Sequence, residues 1–180
     1  LITSSAASDV YKRQPNKRIL RMTNEFIREE YWAKKDDIKL YIFRRKLAIP
    51  APDGAPRPIA FFVHGSSYAG ITGHDLQVPG REDYSLMNTF ARLGYDVWSM
   101  DHEGYGFSGL REGANSDIAS GVEDLKAATD IIIKETGCSS FSFSGQSSGA
   151  LRAAAFAQAH PDRVARLASV SYTHLTLPTT

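Results

Sequence analysis

FSFSGQSSGA, residues 141–150, is the stretch on which the reading of this chain turns. Phe141 and Phe143 alternate with serines, the period of a strand with one apolar face. Gly145-Gln146-Ser147-Ser148-Gly149 follows, and the small residues from Ala150 to Ala159 continue as a helix pattern. Strand, sharp turn and helix is the context in which G-x-S-x-G carries meaning. Such a turn strains the backbone of the middle serine and projects its hydroxyl off the end of the sheet. Glycine is needed at 145 and 149 because a Cβ at either place would strike the neighbouring strand or helix. Ser147 is therefore the candidate nucleophile. The residue after it opens the helix, so the Ser148 N–H has no intrahelical acceptor and can face a developing oxyanion. The plainer alternative is a Ser/Gly-rich turn that fits the pattern by chance; the flanking strand and helix weigh against it.

Upstream, PIAFFV from Pro58 to Val63 is a short continuous apolar run, as expected of a strand buried on both faces of a parallel sheet. It leads into His64-Gly65-Ser66-Ser67. Gly65 allows close backbone approach, and the Ser66 N–H is the expected second oxyanion donor. His64 reads as a packing and hydrogen-bonding residue that shapes the loop, since a catalytic histidine in this kind of architecture follows the nucleophile in sequence.

The other elements follow from local pattern. Residues 16–30 are basic and polar with scattered apolar positions, read as a loop or short helix. Residues 30–34 and 38–47 read as two strands of an antiparallel hairpin turning at Asp36-Asp37. Pro50 to Pro58 is a linker loop with a turn at Asp53-Gly54. Residues 67–83 form a long loop, with His74 a surface residue on it. Residues 84–93 make a short helix stopped by Gly94, and residues 95–100 a strand ending in the turn-rich stretch from Asp101 to Ser108. Ser120 and Glu123 have capping-box spacing, with Val122, Leu125, Thr129 and Ile132 on one face and Gly137 as the stop. His160-Pro161 ends the helix that leaves the elbow, and a last strand starts at Val164. Strands alternating with helices predict an α/β fold with a mostly parallel sheet, helices on both faces and an antiparallel hairpin at the N-terminal edge.

Composition narrows the function classes. The chain has 180 residues, 42% of them hydrophobic, enough for one domain with a core. No apolar run is long enough to span a membrane. Cys138 is the only cysteine, which excludes a Cys-rich zinc site, and no metal or cofactor is expected. A net charge of +1 makes no electrostatic case for nucleic acid. No G-x-G-x-x-G opens a helix, so a dinucleotide would lack its phosphate loop.

The elbow, the His64-Gly65 strand end and Asp101-x-x-Gly104-x-Gly106-x-Ser108 together resemble the α/β-hydrolase fold superfamily. Within it, the chain looks like the esterase, monoacylglycerol-lipase and serine-aminopeptidase-like groups, over roughly residues 38–170. The resemblance implies that Asp101 closes a strand and pins the following turn. Haloalkane dehalogenases and epoxide hydrolases on this fold carry Asp where Ser147 stands, which counts against both. Glu103 departs from the lipase-like groups, which often carry a basic residue there. The ends, LITSSAASDVYKRQ and SYTHLTLPTT, resemble translated sequencing-adaptor read-through at the edges of metagenomic gene calls. On that reading, residues 1–14 and 171–180 are artefact tails around a truncated domain at 15–170.

The resemblance implies acyl transfer from a small ester-like substrate, with Ser147 attacking and the Ser66 and Ser148 N–H groups holding the oxyanion. The chain order on this fold is Ser, then Asp or Glu, then His. After Ser147 stand only His160, Asp162 and His174. The first two lie at the far end of a helix, on the order of 20 Å away at 1.5 Å per residue. His174 has no acid before it on a strand end. The expectation is that the triad acid and histidine lie outside this sequence, and that the chain alone is nearly inert and poorly folded. Thioesterase, lactonase, amidase, C–C hydrolase and haloperoxidase chemistry stand as alternatives on the same elbow. A non-catalytic binding protein is the alternative of another class.

Overall fold

The computed structural model describes residues 17–22, 25–52, 54–113 and 115–170. The two tails, 1–14 and 171–180, lie outside the described residues, as do Asp53 and His174. Among the described residues, seven strands form one sheet: β1 (Lys17–Met22), β2 (Phe26–Lys35), β3 (Ile38–Leu47), β4 (Ile59–Val63), β5 (Asp96–Met100), β6 (Phe141–Gln146) and β7 (Val164–Val170). Their order is β1-β2-β3-β5-β4-β6-β7. The first three pair antiparallel, as do β3 and β5, while β5, β4, β6 and β7 run parallel. Among the described residues, four α-helices connect them: α1 (Gly70–His74), α2 (Leu86–Arg92), α3 (Ile118–Thr136) and α4 (Ser148–Ala159).

Alternation along the central strands builds two cores. Ile59, Phe61 and Val63 of β4 face one way, with Leu40, Ile42, Trp98 and Phe143, under Leu125 and Ile132 of α3 and Phe156 of α4. Ala60 and Phe62 face the other way, with Tyr41, Phe43 and Val97, under Met87 and Ala91 of α2. All five β4 residues are buried, so the apolar run of PIAFFV is the mark of a strand covered on both faces. Each such large side chain contributes about 1.5–3 kcal/mol by leaving water. This is the expected α/β architecture, with helices on both faces and an antiparallel N-terminal edge.

Two expectations need correction. Residues 17–22 and 26–30 are strand, not loop or short helix. The polar Glu29 occupies an inward position of β2, where it accepts hydrogen bonds from Tyr31 Oη and Arg44 Nη1. Arg44 also forms a bidentate pair with Asp96 and stacks over Trp98. Internal ion pairing thus replaces the apolar residue that would have marked the alternation. The capping box at Ser120 is also displaced. Asp117 caps α3, accepting from Ser120 N at 2.8 Å, so Ser120 lies inside the first turn. The C-terminal stop stands as read, with Gly137 left-handed at φ 73°.

A buried ionic cluster ties the hairpin edge to α3 and to the loop after β5. Lys35 Nζ donates to Asp124 Oδ1 at 2.6 Å, to Glu103 Oε2 at 3.0 Å and to Ser120 Oγ at 2.9 Å. Asp124 Oδ2 accepts from the Glu103 N–H and lies 3.0 Å from His102 Nδ1. Arg111 covers Glu103 from the outside with three more hydrogen bonds, from its backbone N–H, Nε and Nη2. Those bonds from Arg111, with Lys35 behind them, hold the Glu103 carboxyl down at about 2. Glu103, the departure noted in the sequence, is therefore an internal counter-charge to Lys35. Removing Asp124 strips the Lys35 ammonium, the His102 ring and the Glu103 N–H of their shared buried acceptor, at a cost of about 3–5 kcal/mol. Asp124→Ala should lose that much in urea unfolding, whereas Lys126→Ala, which breaks only the exposed pair with Asp130, should shift stability by less than about 1 kcal/mol.

Candidate active site

The strand-to-helix turn after β6 holds Ser147 at φ 53° and ψ −127°. Among the described residues, Ser147 and Asp36 are the only non-glycine residues with positive φ. That conformation is strained for a residue with a Cβ and persists only where the surroundings over-determine it. They do so here. A Cβ on Gly145 would lie 2.6 Å from Ala150 Cα, and one on Gly149 would lie 2.5 Å from His64 O. The first contact is with the helix and the second with the end of β4, as the sequence pattern requires. Ser147 N donates to Val170 O at 3.1 Å, and Ala150 N donates to Ser147 O at 2.9 Å.

The loop leaving β4 closes on the same point. A Cβ on Gly65 would lie 2.9 Å from Ser147 Cβ, so only glycine allows this approach. Beyond it, Ser66 Oγ lies 2.7 Å from Ser148 Oγ. As first residue of α4, Ser148 presents a backbone N–H with no intrahelical acceptor. Ser66, Ser147 and Ser148, named separately from the sequence, thus come together. A small cavity of about 90 Å³ opens beside them, lined by His64, Gly65, Ser66, Tyr68, Gly73 and Ser147.

Two histidines underpin the loop. His64 is buried, its Nδ1–H donating to Gly65 O at 2.6 Å while Nε2 accepts from His102 N at 2.9 Å. Both ring nitrogens are occupied, so His64 shapes the loop and has no lone pair to offer Ser147. Burial, with His102 beside it, pushes its pKa down to about 3. His74 corrects the sequence reading. It is buried at the end of α1, with Nδ1 2.9 Å from Ser99 Oγ and its ring against Phe62, and burial lowers its pKa to about 4. The short helix α1 within the 67–83 loop carries it into the core, a placement that no local pattern announced.

Asp101 closes β5 as the resemblance implied. Its carboxylate accepts from Ile71 N at 3.3 Å and from Phe107 N at 3.0 Å, clamping the start of α1 to the 101–108 turn. A Cβ on Gly106 would collide with that carboxylate. Burial raises the Asp101 pKa, and these backbone N–H groups oppose the rise. His160 and Asp162 are not brought to the site. His160 packs on Phe156 at the C-terminal end of α4, thirteen residues and about 20 Å along the helix from Ser147.

The neutral histidines set a pH dependence. An unfolded histidine takes a proton near pH 6.5, whereas His64 and His74 resist it until about 3 and 4. Below pH 6.5 the unfolded chain binds more protons, so their contribution is complete above that pH and is lost as the pH falls towards 4. The free energy of urea unfolding should drop between pH 7 and pH 5, by about 1.4 kcal/mol per pH unit for each histidine once the unfolded side chain is fully protonated; a flat profile would contradict the buried neutral pair. The elbow makes a separate prediction. Gly149→Ala must push apart two backbone segments and should cost about 1–3 kcal/mol or more, while Gly73→Ala, with nothing within 4 Å, should leave the thermal midpoint close to the parent value.

Among the described residues no helix is long and apolar enough to cross a membrane, and no cluster of His, Cys, Asp and Glu could hold a metal ion. No curated protein matches the sequence. Solved structures do match its shape. A CIB-like hydrolase from Thermoplasma acidophilum is 20% identical, with a TM-score of 0.55 over 78% of this chain and 60% of its own. An epoxide hydrolase from Vigna radiata is 18% identical, with a TM-score of 0.58 over 78% and 38%. The thioesterase domain from the curacin biosynthetic pathway is 21% identical, with a TM-score of 0.58 over 79% and 46%. The chain thus spans roughly four- to six-tenths of these proteins' length, and they share its fold. The family model described as serine aminopeptidase, S33, matches residues 80–173, a stretch that includes the elbow, the α3 helix and the Asp101 turn. With that match over more than half its length, the chain belongs to this family of α/β-hydrolase-fold hydrolases.

Proposed function

We propose that the protein is a serine hydrolase that cleaves carboxylic esters through an acyl-enzyme on Ser147. The observation that carries this reading is the left-handed Ser147, wedged between Gly65, Gly145 and Gly149 with its side chain exposed beside a cavity. Ser147 Oγ attacks the acyl carbonyl and gives its proton to a histidine. The N–H groups of Ser66 and Ser148 take the charge on the carbonyl oxygen, and the alcohol leaves with the proton. Water then attacks the acyl-enzyme by the same route and restores the serine. The histidine and its orienting acid are supplied from outside the described residues, since His160 and Asp162 are too far away.

A serine at the elbow supports acyl transfer over epoxide opening, which uses a carboxylate nucleophile on this fold. A thioester presents the same acyl carbonyl, and the likeness to a thioesterase domain makes it the second substrate class. Profiling p-nitrophenyl esters against acyl thioesters separates the two. Ser147→Ala in the full-length gene product should lower kcat by about 10⁴-fold or more with the fold intact; undiminished ester cleavage would sink the assignment.

A further inference from the structure

The 2.7 Å contact between Ser66 Oγ and Ser148 Oγ joins the two loops that carry the backbone donors. Neither hydroxyl has another hydrogen-bond partner among the described residues. Two hydroxyls own two protons, and their mutual hydrogen bond uses one. The second proton, on whichever hydroxyl accepts, stays free. Ser66 is exposed and lines the cavity with Ser147, whereas Ser148 is half-buried outside that lining. When Ser148 donates and Ser66 accepts, the free proton therefore sits on the cavity side. A hydroxyl that accepts a hydrogen bond is also polarised into a better donor.

We infer that the Ser66 hydroxyl is a third donor to the oxyanion, in addition to the two backbone N–H groups, and that the Ser148 hydroxyl is a positioning residue that orients and polarises it. This rests on the reading of Ser147 as nucleophile. No proton is transferred: Ser66 Oγ–H stays covalently intact and shortens its hydrogen bond as charge builds on the substrate oxygen. The gain belongs to the transition state, because a neutral ground-state carbonyl accepts more weakly than an oxyanion.

The test uses the full-length gene product and a p-nitrophenyl ester. Ser66→Ala is expected to lower kcat on the order of 10²-fold, the scale of one oxyanion donor, with KM and the thermal midpoint little changed. Ser66→Thr keeps the hydroxyl and should recover most of that loss. Ser148→Ala should lose less than Ser66→Ala, and the double variant should be no slower than Ser66→Ala alone, because the Ser148 hydroxyl acts only through Ser66 and its N–H is kept in alanine. An unchanged kcat in Ser66→Ala overturns the inference. So do losses that multiply in the double variant, or that track a falling thermal midpoint, the mark of a clasp that merely holds the loops. Ser147→Ala, run beside them, keeps the two readings apart. Full turnover there removes the nucleophile and this inference together, whereas a silent Ser66→Ala beside a dead Ser147→Ala removes the inference alone.

Discussion

The positive φ of Ser147 is the constraint on which the arrangement depends. A serine does not hold φ 53° by preference; three glycines and two backbone hydrogen bonds hold it there. Each glycine marks a place where a second piece of backbone comes too close for a side chain. Gly145 admits the start of α4, Gly149 admits the end of β4, and Gly65 admits Ser147 itself. These contacts exist because β4 and β6 are parallel neighbours, so their loops leave the sheet at the same end. The sheet order thus decides which two loops meet, and the glycines decide how closely.

Behind the elbow, the protein holds its charges in two ways. Lys35, Glu103 and Asp124 are buried in contact with one another, opposite charges side by side. Burial pushes the Asp124 carboxyl up, but its bonds to His102 and Lys35 outweigh that and hold it low. His64 and His74 instead stay neutral, with burial the leading cause in each. His102 joins the two regimes, donating from its ring to Asp124 and from its backbone to His64. A displacement in the ionic cluster therefore reaches the loop of Ser66 through one residue. The cluster spans β2, α3 and the loop after β5, so it fixes that loop without touching the cavity.

The parts of this structure legible in the sequence are those with a local cause. The β4 run, the Gly137 stop and the elbow glycines each answer a constraint set by residues a few positions away. The Asp101 turn was legible through resemblance, since no periodicity distinguishes it. What stayed hidden was non-local. Lys35 lies 68 residues from Glu103 and 89 from Asp124, and nothing in any window of sequence pairs them. The same cause obscured β2, where Glu29 and Lys35 face inward and break the apolar alternation. His74 was misplaced because its burial comes from α1 packing under β5, where Gly70 meets the Met100 carbonyl, and not from its own neighbours.

The supports of Ser147 are unequal. On the β4 side they are buried: Gly149 is packed against Val63 and His64, and all of β4 lies inside the sheet. On the other side the Ser147 N–H rests on the carbonyl of Val170, the last residue of β7. β7 is exposed along nearly its whole length, with Leu167 39% and Val170 46% open to solvent. Strands with few buried contacts open at lower free energy than the core they flank. The elbow therefore has one rigid wall and one soft wall. Because φ at Ser147 needs both, whatever packs against β7 acts on the Ser147 backbone through a single hydrogen bond, while the loop of Gly65 and Ser66, anchored to β4, is set without it.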